Sequence, residues 1–463
     1  MSRRLKKRRN SAFSFINKGP ASDTDKLQKI LFDGTSRLTH RFPEAGAHFL
    51  DFIVPLLAAN RPLAAFFNRR SQKVVRSLSS WRRFLVIPDI HIGDSVMSQA
   101  AISALRDFFP DARVDFIVNR AAGPLIEGNP EVTRTLPFFS GGSLPSSENI
   151  RALRGLVKSE AYDLCLNFSP YIKDQDIAPD GQAVLNIMAH SPVIVANERK
   201  PSRINHFLYH HYRFVKDLLS IAAQPVRESR FKGVGLAFPD LAVEGALDFV
   251  SKVGLSASEP VILFNPDGAS RFTRIPFEKQ SALIARLSQL EATLLLGEGH
   301  TEAGIGERLK TSLPAALRSR VKIVPADLSL EIYSALLDFC DVFISGDTGP
   351  MHIAAARKYS RSGRFMFRNR TAVLCIFGAT PARMSGYDSF QPGYLPANQD
   401  APSWSYTPGS PCRNITCLNK MYKTCRVVRC FEEFDIESLT ERVESHLKAL
   451  AGQIPLPREL ETA

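Results

Sequence analysis

At 463 residues the chain is longer than one ordinary hydrophobic core fills, so two domains are expected. Its 44% apolar share suits a globular protein. No run reaches the roughly 18 uncharged apolar residues of a membrane span; the best stretch, Phe49 to Phe67, carries Asp51, Arg61, Pro55 and Pro62. The formal charge is +13, and residues 1–83 alone hold 18 Lys/Arg against 5 Asp/Glu, so the excess belongs to this extension and the rest of the chain is balanced.

Residues 1–83 read as one basic unit. RRLKKRR is a solvated charge run, and from Phe49 the apolar positions 49, 52, 53, 56, 57, 63, 66 and 67 fall at helical spacing, with Pro55 and Pro62 kinking or dividing the helix. Flanked by Arg69, Arg70, Lys73 and Arg76, that helix suits either packing on the next domain or lying on an anionic membrane surface. Nucleic acid fits less well, because the basic run lacks the interleaved aromatics of a base-stacking surface. No continuous apolar segment follows the basic start, so no secretory leader is expected. The expected location is cytoplasmic, peripheral on the inner face of the membrane.

Residues 84–240 alternate strand and helix: strands at Phe84–Pro88, Val114–Val118, Asp163–Phe168 and Val193–Ala196, and a helix over Asp94–Phe109 ended by Pro110. Residues 241–463 repeat the pattern after a connection near Phe238–Pro260. Strands are expected at Val261–Asn265, Thr293–Leu296, Val321–Val324, Asp341–Ser345 and Ala372–Phe377, with helices starting near Pro276, Thr301, Ser329 and Gly349. Such alternation predicts an α/β protein with parallel sheets covered on both faces. A last periodic helix, Ile436–Leu450, is expected to pack back on the first domain.

The segment SGDTGPMHIAAA, Ser345 to Ala356, follows a buried-strand pattern and opens a helix of small residues. A strand, a tight Gly turn and a helix start aim backbone N–H groups at an anion. Gly346 and Gly349 allow close approach, Thr348 adds a hydroxyl, His352 an imidazole and Asp347 an acceptor for a sugar hydroxyl. The pattern suits a nucleotide-sugar diphosphate, and equally an ordinary strand–turn–helix with a Thr cap.

Cys165, Cys340 and Cys375 lie in apolar runs and read as core thiols. Cys412, Cys417, Cys425 and Cys430 have Cys-x4-Cys-x7-Cys-x4-Cys spacing, open both to a structural zinc or iron and to free or paired thiols.

Four motifs in fixed order carry a resemblance: LVIPDIHIGDSVMSQAAISALRDFFPDARVDFIVN; YDLCLNFSP; VILFNPDGASRFTRIPFEKQ followed by TLLLGEGHTEAGIGERL; and LSLEIYSALLDFCDVFISGDTGPMHIAAA followed by AVLCIFGATPARM. Together, over about residues 84–445, they resemble glycosyltransferase family 9, the ADP-heptose:lipopolysaccharide heptosyltransferases. The resemblance implies a GT-B fold, two Rossmann-like domains with the acceptor on the first and the donor on the second. It also implies inverting transfer with no metal required for chemistry. Asp94, after Gly93, matches the family's general base; the other reading is that it caps the helix that follows. Asp347, Thr348, Gly349 and His352 match the donor site, and Leu328 and Glu302 fall where the family lines the adenosine pocket, with Glu298 the rival for the acid. His91 stands on the acceptor side where the family often has Ser. Thr273 stands where the family has a phosphate-binding Lys, so Arg271 or Arg274 is expected to serve instead. Some protein-modifying members carry cysteine-bound iron, which bears on the four-cysteine segment.

One segment is longer than in the family: Arg357 to Arg370 holds six Lys/Arg and no acid. It suits a solvated loop or a clamp for an anionic acceptor. The implied activity is heptose transfer from a nucleotide diphosphate to a lipopolysaccharide core. The alternatives are a protein hydroxyl as acceptor, or a non-catalytic membrane- or nucleotide-binding module.

Overall fold

The computed structural model describes residues 81–89, 91–139, 145–169, 234–256, 258–268, 270–380, 382–387, 403–406 and 429–451, with isolated residues between 172 and 215. The basic extension up to residue 80, the strand expected at Val193–Ala196, and Cys412, Cys417 and Cys425 lie outside the described residues.

The first lobe is a five-stranded parallel sheet. Its strands are β1 (Arg83–Ile87), β2 (Arg113–Asn119), β3 (Arg134–Phe139), β4 (Leu164–Asn167) and β5 (Val184–Asn186), in the order β3-β2-β1-β4-β5. The second lobe is a six-stranded parallel sheet of β7 (Val261–Asn265), β8 (Thr293–Gly297), β9 (Val321–Val324), β10 (Val342–Gly346), β12 (Ala372–Ile376) and β13 (Ser403–Tyr406), in the order β13-β12-β10-β7-β8-β9. Each sheet starts at a central strand, grows to one side and then reverses. The reversal opens a crevice at the strands' carboxyl ends, between β1 and β4 in one lobe and β7 and β10 in the other.

The strands are continuous apolar runs because both sheet faces are covered. Alternate residues divide between clusters. Phe84 and Val86 of β1 join one core while Leu85 and Ile87 join another; Val261 and Leu263 of β7 separate likewise from Ile262 and Phe264. One of these cores is shared. It takes Phe84, Val86 and Phe116 from the first sheet and Leu263, Phe343 and Val373 from the second. At about 1.5–3 kcal/mol per buried large apolar side chain, such a shared core resists separation of the lobes.

Three further features border this shared core. Helices α1 (Ile92–Met97) and α2 (Gln99–Phe108) replace the single helix expected at Asp94–Phe109, with Ser98 between them. A two-stranded parallel sheet pairs β6 (Gly235–Phe238) with β11 (Arg357–Ser360). Helix α5 (Asp240–Lys252) packs on α9 (Leu330–Leu336). β3, β5, β6, β11 and β13 add to the expected set; all but β3 are only three or four residues long.

Among the described residues, helix α12 (Ile436–Ala451) packs on the second lobe, where the sequence suggested the first domain. Its stripe Leu439, Val443 and Leu447 joins the second lobe's core with Leu283 and Leu287 of α6 (Phe277–Leu287), and Arg286 of α6 pairs with Glu437 at 2.5 Å. Cys430 is buried in this same core, as Cys165, Cys340 and Cys375 are in theirs. Among the described residues no group of three or more His, Cys, Asp or Glu is placed to hold a metal, and no helix is long and apolar enough to cross a membrane.

The Arg357–Arg370 segment is not a free loop. Lys358 is buried, its Nζ donating to the Ala354 carbonyl at 3.3 Å. Burial pushes its pKa down to about 8 against the opposing charges of Asp338 and Cys340. Arg361 donates to the Pro124 carbonyl of the first lobe, Arg364 pairs with Glu244 at 2.9 Å, and Arg368 donates its Nε to the Asp338 carbonyl at 3.0 Å. Much of the charge read as a clamp for an outside anion therefore works inside the molecule.

Candidate active site

The two switch points face each other because α1 of the first lobe packs against α10 (Gly349–Ala355) of the second. Two glycines set the distance. A Cβ on Gly93 would lie 2.7 Å from His352 Cδ2, and one on Gly349 would lie 3.1 Å from Ile92 Cβ. A Cβ on Gly346 would lie 2.5 Å from the Thr273 carbonyl. The close approach these glycines allow is thus to protein, whereas the sequence suggested a ligand.

Asp94 sits in the first turn of α1, whose N-cap is His91. It is not the helix cap. Its carboxyl is pushed up to about 8 by burial, then by the like charges of Asp89 and Asp347, with a hydrogen bond from the His91 backbone opposing. Asp89, at the end of β1, lies 3.5 Å from the Ser169 hydroxyl beyond β4. His91 is exposed and makes no side-chain cap.

Across the crevice, Asp347 follows β10. Burial raises its pKa, opposed by a hydrogen bond with Thr380. Asp347 Oδ1 lies 3.9 Å from His352 Nε2. His352 is buried on α10, and burial lowers its pKa to about 4, so the ring is neutral at physiological pH. Its Nδ1 lies 2.9 Å from the Tyr387 hydroxyl. Thr348 is the N-cap residue of α10 but does not cap with its side chain. Its hydroxyl bonds Ser345 Oγ at 2.9 Å, and Asn265 Nδ2, at the end of β7, donates to Ser345 Oγ at 3.0 Å.

The two candidate arginines part company. Arg271 is exposed, its guanidinium 4.8 Å from the Phe272 ring centre. Arg274 is turned inward and held by Glu302 at 2.8 Å, Asp267 at 3.2 Å and the Gly268 carbonyl at 2.8 Å. Glu302 also binds Arg308 at 2.6 Å. Its rival Glu298 receives the Glu307 N–H at 3.3 Å, inside the first turn of α7 (Ile305–Ser312), where an acid complements the helix dipole. Leu328 is half-buried before α9 and packs on the shared core. Thr273 Oγ1 donates into its own turn, to the Ser270 carbonyl at 3.1 Å.

The structure therefore brings Gly93, Asp94, Asp347, Gly349 and His352 together, and joins Arg274 to Glu302. Residues 89, 265, 380 and 387 are site members that sequence reasoning left out. Asn265 and Asp89 carried a signal, a polar residue closing an apolar strand. Thr380 and Tyr387 carried none, since only the return of β12 beside β10 delivers them.

Two Rossmann-like lobes opposed at their switch points make a GT-B glycosyltransferase fold, the class of enzymes that transfers sugars between domains. Residues 224–361 match the model of glycosyltransferase family 9 (heptosyltransferase). Lipooligosaccharide heptosyltransferase 2 of Haemophilus influenzae is 24% identical over 285 residues, covering 59% of this chain and 80% of its own. Lipooligosaccharide heptosyltransferase 2 of Campylobacter jejuni is 20% identical over 374 residues, covering 77% and 96%. Among solved structures, the family 9 glycosyl transferase of Veillonella parvula superposes with a TM-score of 0.58 at 14% identity, and the ADP-heptose lipopolysaccharide heptosyltransferase II of E. coli with 0.51 at 16%; each covers 80% of this chain and 98% of its own. The chain is a glycosyltransferase whose sequence and fold are similar to the family 9 heptosyltransferases.

Proposed function

We propose that the chain transfers a heptose from ADP-heptose, with inversion, to a saccharide of the lipopolysaccharide core, working peripherally at the inner face of the cytoplasmic membrane. One observation supports this reading: α1, which carries Asp94, packs on α10, which carries His352, with Gly93 pressed against the imidazole and Asp347 Oδ1 3.9 Å from it. The heptosyltransferase names of the relatives support the sugar and the core acceptor.

In this reading Asp94 accepts the acceptor hydroxyl's proton as that oxygen attacks the anomeric carbon from the face opposite the diphosphate. A base with pKa near 8 suits this step, because its basicity and its ionised fraction are both useful near neutrality. The carbon–diphosphate bond breaks and the leaving group gains charge. His352 and the backbone N–H groups around Thr348 and Gly349 receive it, with Asp347 holding sugar hydroxyls. Arg274, braced by Glu302, is the better candidate than Arg271 for the diphosphate, and Glu302 and Leu328 line the adenosine side. Gly93 and His91 border the acceptor.

The test is mass spectrometry of core oligosaccharide from cells with and without the chain, alongside in vitro transfer from ADP-heptose to isolated core. A missing heptose and activity that falls at least about a hundredfold in Asp94→Asn are expected. An unaltered core, with no transfer by the purified protein, overturns the reading; an unaltered core with heptose appearing on protein moves the acceptor to a protein hydroxyl.

A further inference from the structure

Resting on the sugar-transfer reading above, we infer that Tyr387 is a positioning residue: its hydroxyl holds the His352 imidazole in the tautomer that presents Nε2–H to the crevice. A neutral imidazole has one N–H and one lone pair, and the bond made by one nitrogen fixes what the other offers. His352 Nδ1 stands 2.9 Å from Tyr387 Oη, and the two rings meet edge to face with centres 5.9 Å apart. On the opposite side Nε2 faces Asp347 Oδ1 at 3.9 Å. The neighbouring Cδ2 edge looks onto Gly93 at the seam of the lobes.

The two sides of the ring differ in kind. On the Nε2 side stand a carboxylate and, in turnover, a departing diphosphate, both acceptors. On the Nδ1 side stands a phenol, which burial keeps protonated, raising its pKa along with the charges of Cys375 and Asp347. A phenol can either give its proton to the Nδ1 lone pair or accept from Nδ1–H; the first arrangement puts the hydrogen on Nε2, where the acceptors stand, and is the one inferred. The reverse assignment would aim an Nε2 lone pair at the Asp347 carboxylate and at the leaving group. Burial keeps the ring neutral, so this donor needs no protonation step and holds its state over the physiological range.

Tyr387 lies outside the strand–turn–helix that carries His352, 35 residues further on. It arrives with Thr380, which bonds Asp347, on the chain that leaves β12. One short segment thus orients both side chains that face the departing group.

Long-range 1H–15N correlation spectra of protein labelled in histidine read the tautomer directly, with His352→Gln assigning the signal. The wild type is expected to show Nε2–H. Tyr387→Phe, which keeps the ring, is expected to shift His352 toward Nδ1–H. Turnover should then fall roughly fivefold, the worth of one net hydrogen bond, while KM for ADP-heptose changes less than about threefold. An Nδ1–H signal in the wild type overturns the inference. So does a Tyr387→Phe spectrum with the tautomer unchanged, which would leave the tyrosine a packing role alone. Should the variant fail to fold, the wild-type spectrum still decides. Absence of transfer by the wild type would sink the proposed activity and leave the tautomer result standing.

Discussion

At the first lobe's switch point carboxylates crowd: Asp94 and Asp89 approach each other and face Asp347, and Asp94 keeps its proton to about pH 8. At the second lobe's switch point the polar side chains are braced: Asn265 holds Ser345, Ser345 holds Thr348, Thr380 holds Asp347, Tyr387 holds His352, and Glu302 holds Arg274. The contrast follows the work each side would do. A base gains from an environment that resists its charge, whereas groups that receive a leaving anion gain from having no freedom to lose.

The largest effect should come from Asp94→Asn. Loss of a general base lowers kcat/KM by roughly 10²–10⁴. The wild type should show kcat/KM rising to a plateau with an apparent pKa near 8, and the residual activity of the variant should lack that limb. Stability should move the other way. The folded carboxyl binds a proton up to about pH 8, the unfolded one only to about 3.8, so the unfolded chain carries fewer protons between them. Stability therefore falls as pH rises through that window. Asparagine removes this dependence, and the variant should melt a few degrees above the wild type at pH 8. A variant that retains turnover, or that melts lower at pH 8, would break the contrast on its acidic side.

Next comes the seam. In isolation Gly93→Ala should favour helix α1 by about 1 kcal/mol. The added carbon, however, would press on His352 at 2.7 Å, and overpacking costs about 1–3 kcal/mol. The clash should win: a lower denaturation midpoint together with weaker transfer, since the lobes must separate or His352 must turn from Tyr387. A variant more stable than the wild type would show that the lobes are not held at this contact.

On the braced side, Asn265→Ala removes the donor to Ser345 and loosens Thr348. One net hydrogen bond is worth about 1 kcal/mol, so KM for the nucleotide sugar should rise roughly fivefold with kcat little changed. A drop in kcat at constant KM would mean that the bracing acts only in the transition state.

How much of this was readable beforehand differs along the same line. The central strands β1, β2, β4, β7, β8, β10 and β12, and the edge strand β9, announce themselves as apolar runs, and the Gly93–Asp94 and Asp347–His352 turns are local patterns that close near where they are written. The bracing partners are not local. Thr380 reaches Asp347 and Tyr387 reaches His352 only after β12 has been laid beside β10, and no periodicity encodes that return. The Arg357–Arg370 segment misled for a related reason: a run of bases looks like a surface for outside anions until its partners, Pro124, Glu244 and Asp338, arrive from three distant stretches. Helix α12 misled because an amphipathic stripe specifies a face to bury and not which lobe receives it.

The smallest effect separates that segment from the crevice. Arg364 and Glu244 form an exposed pair at 2.9 Å, both side chains roughly half accessible. Such pairs contribute about 0–1 kcal/mol, screened further by salt. Arg364→Ala should therefore shift the denaturation midpoint by less than about 0.5 kcal/mol and leave KM for acceptor unchanged, because its charge is spent on α5 and not on a ligand. An acceptor KM that rises severalfold in this variant, and converges with the wild type at high salt, would restore the segment as an anion clamp. The crevice would then have a braced basic wall on the acceptor side too, and the division between a crowded and a braced switch point would no longer describe the molecule.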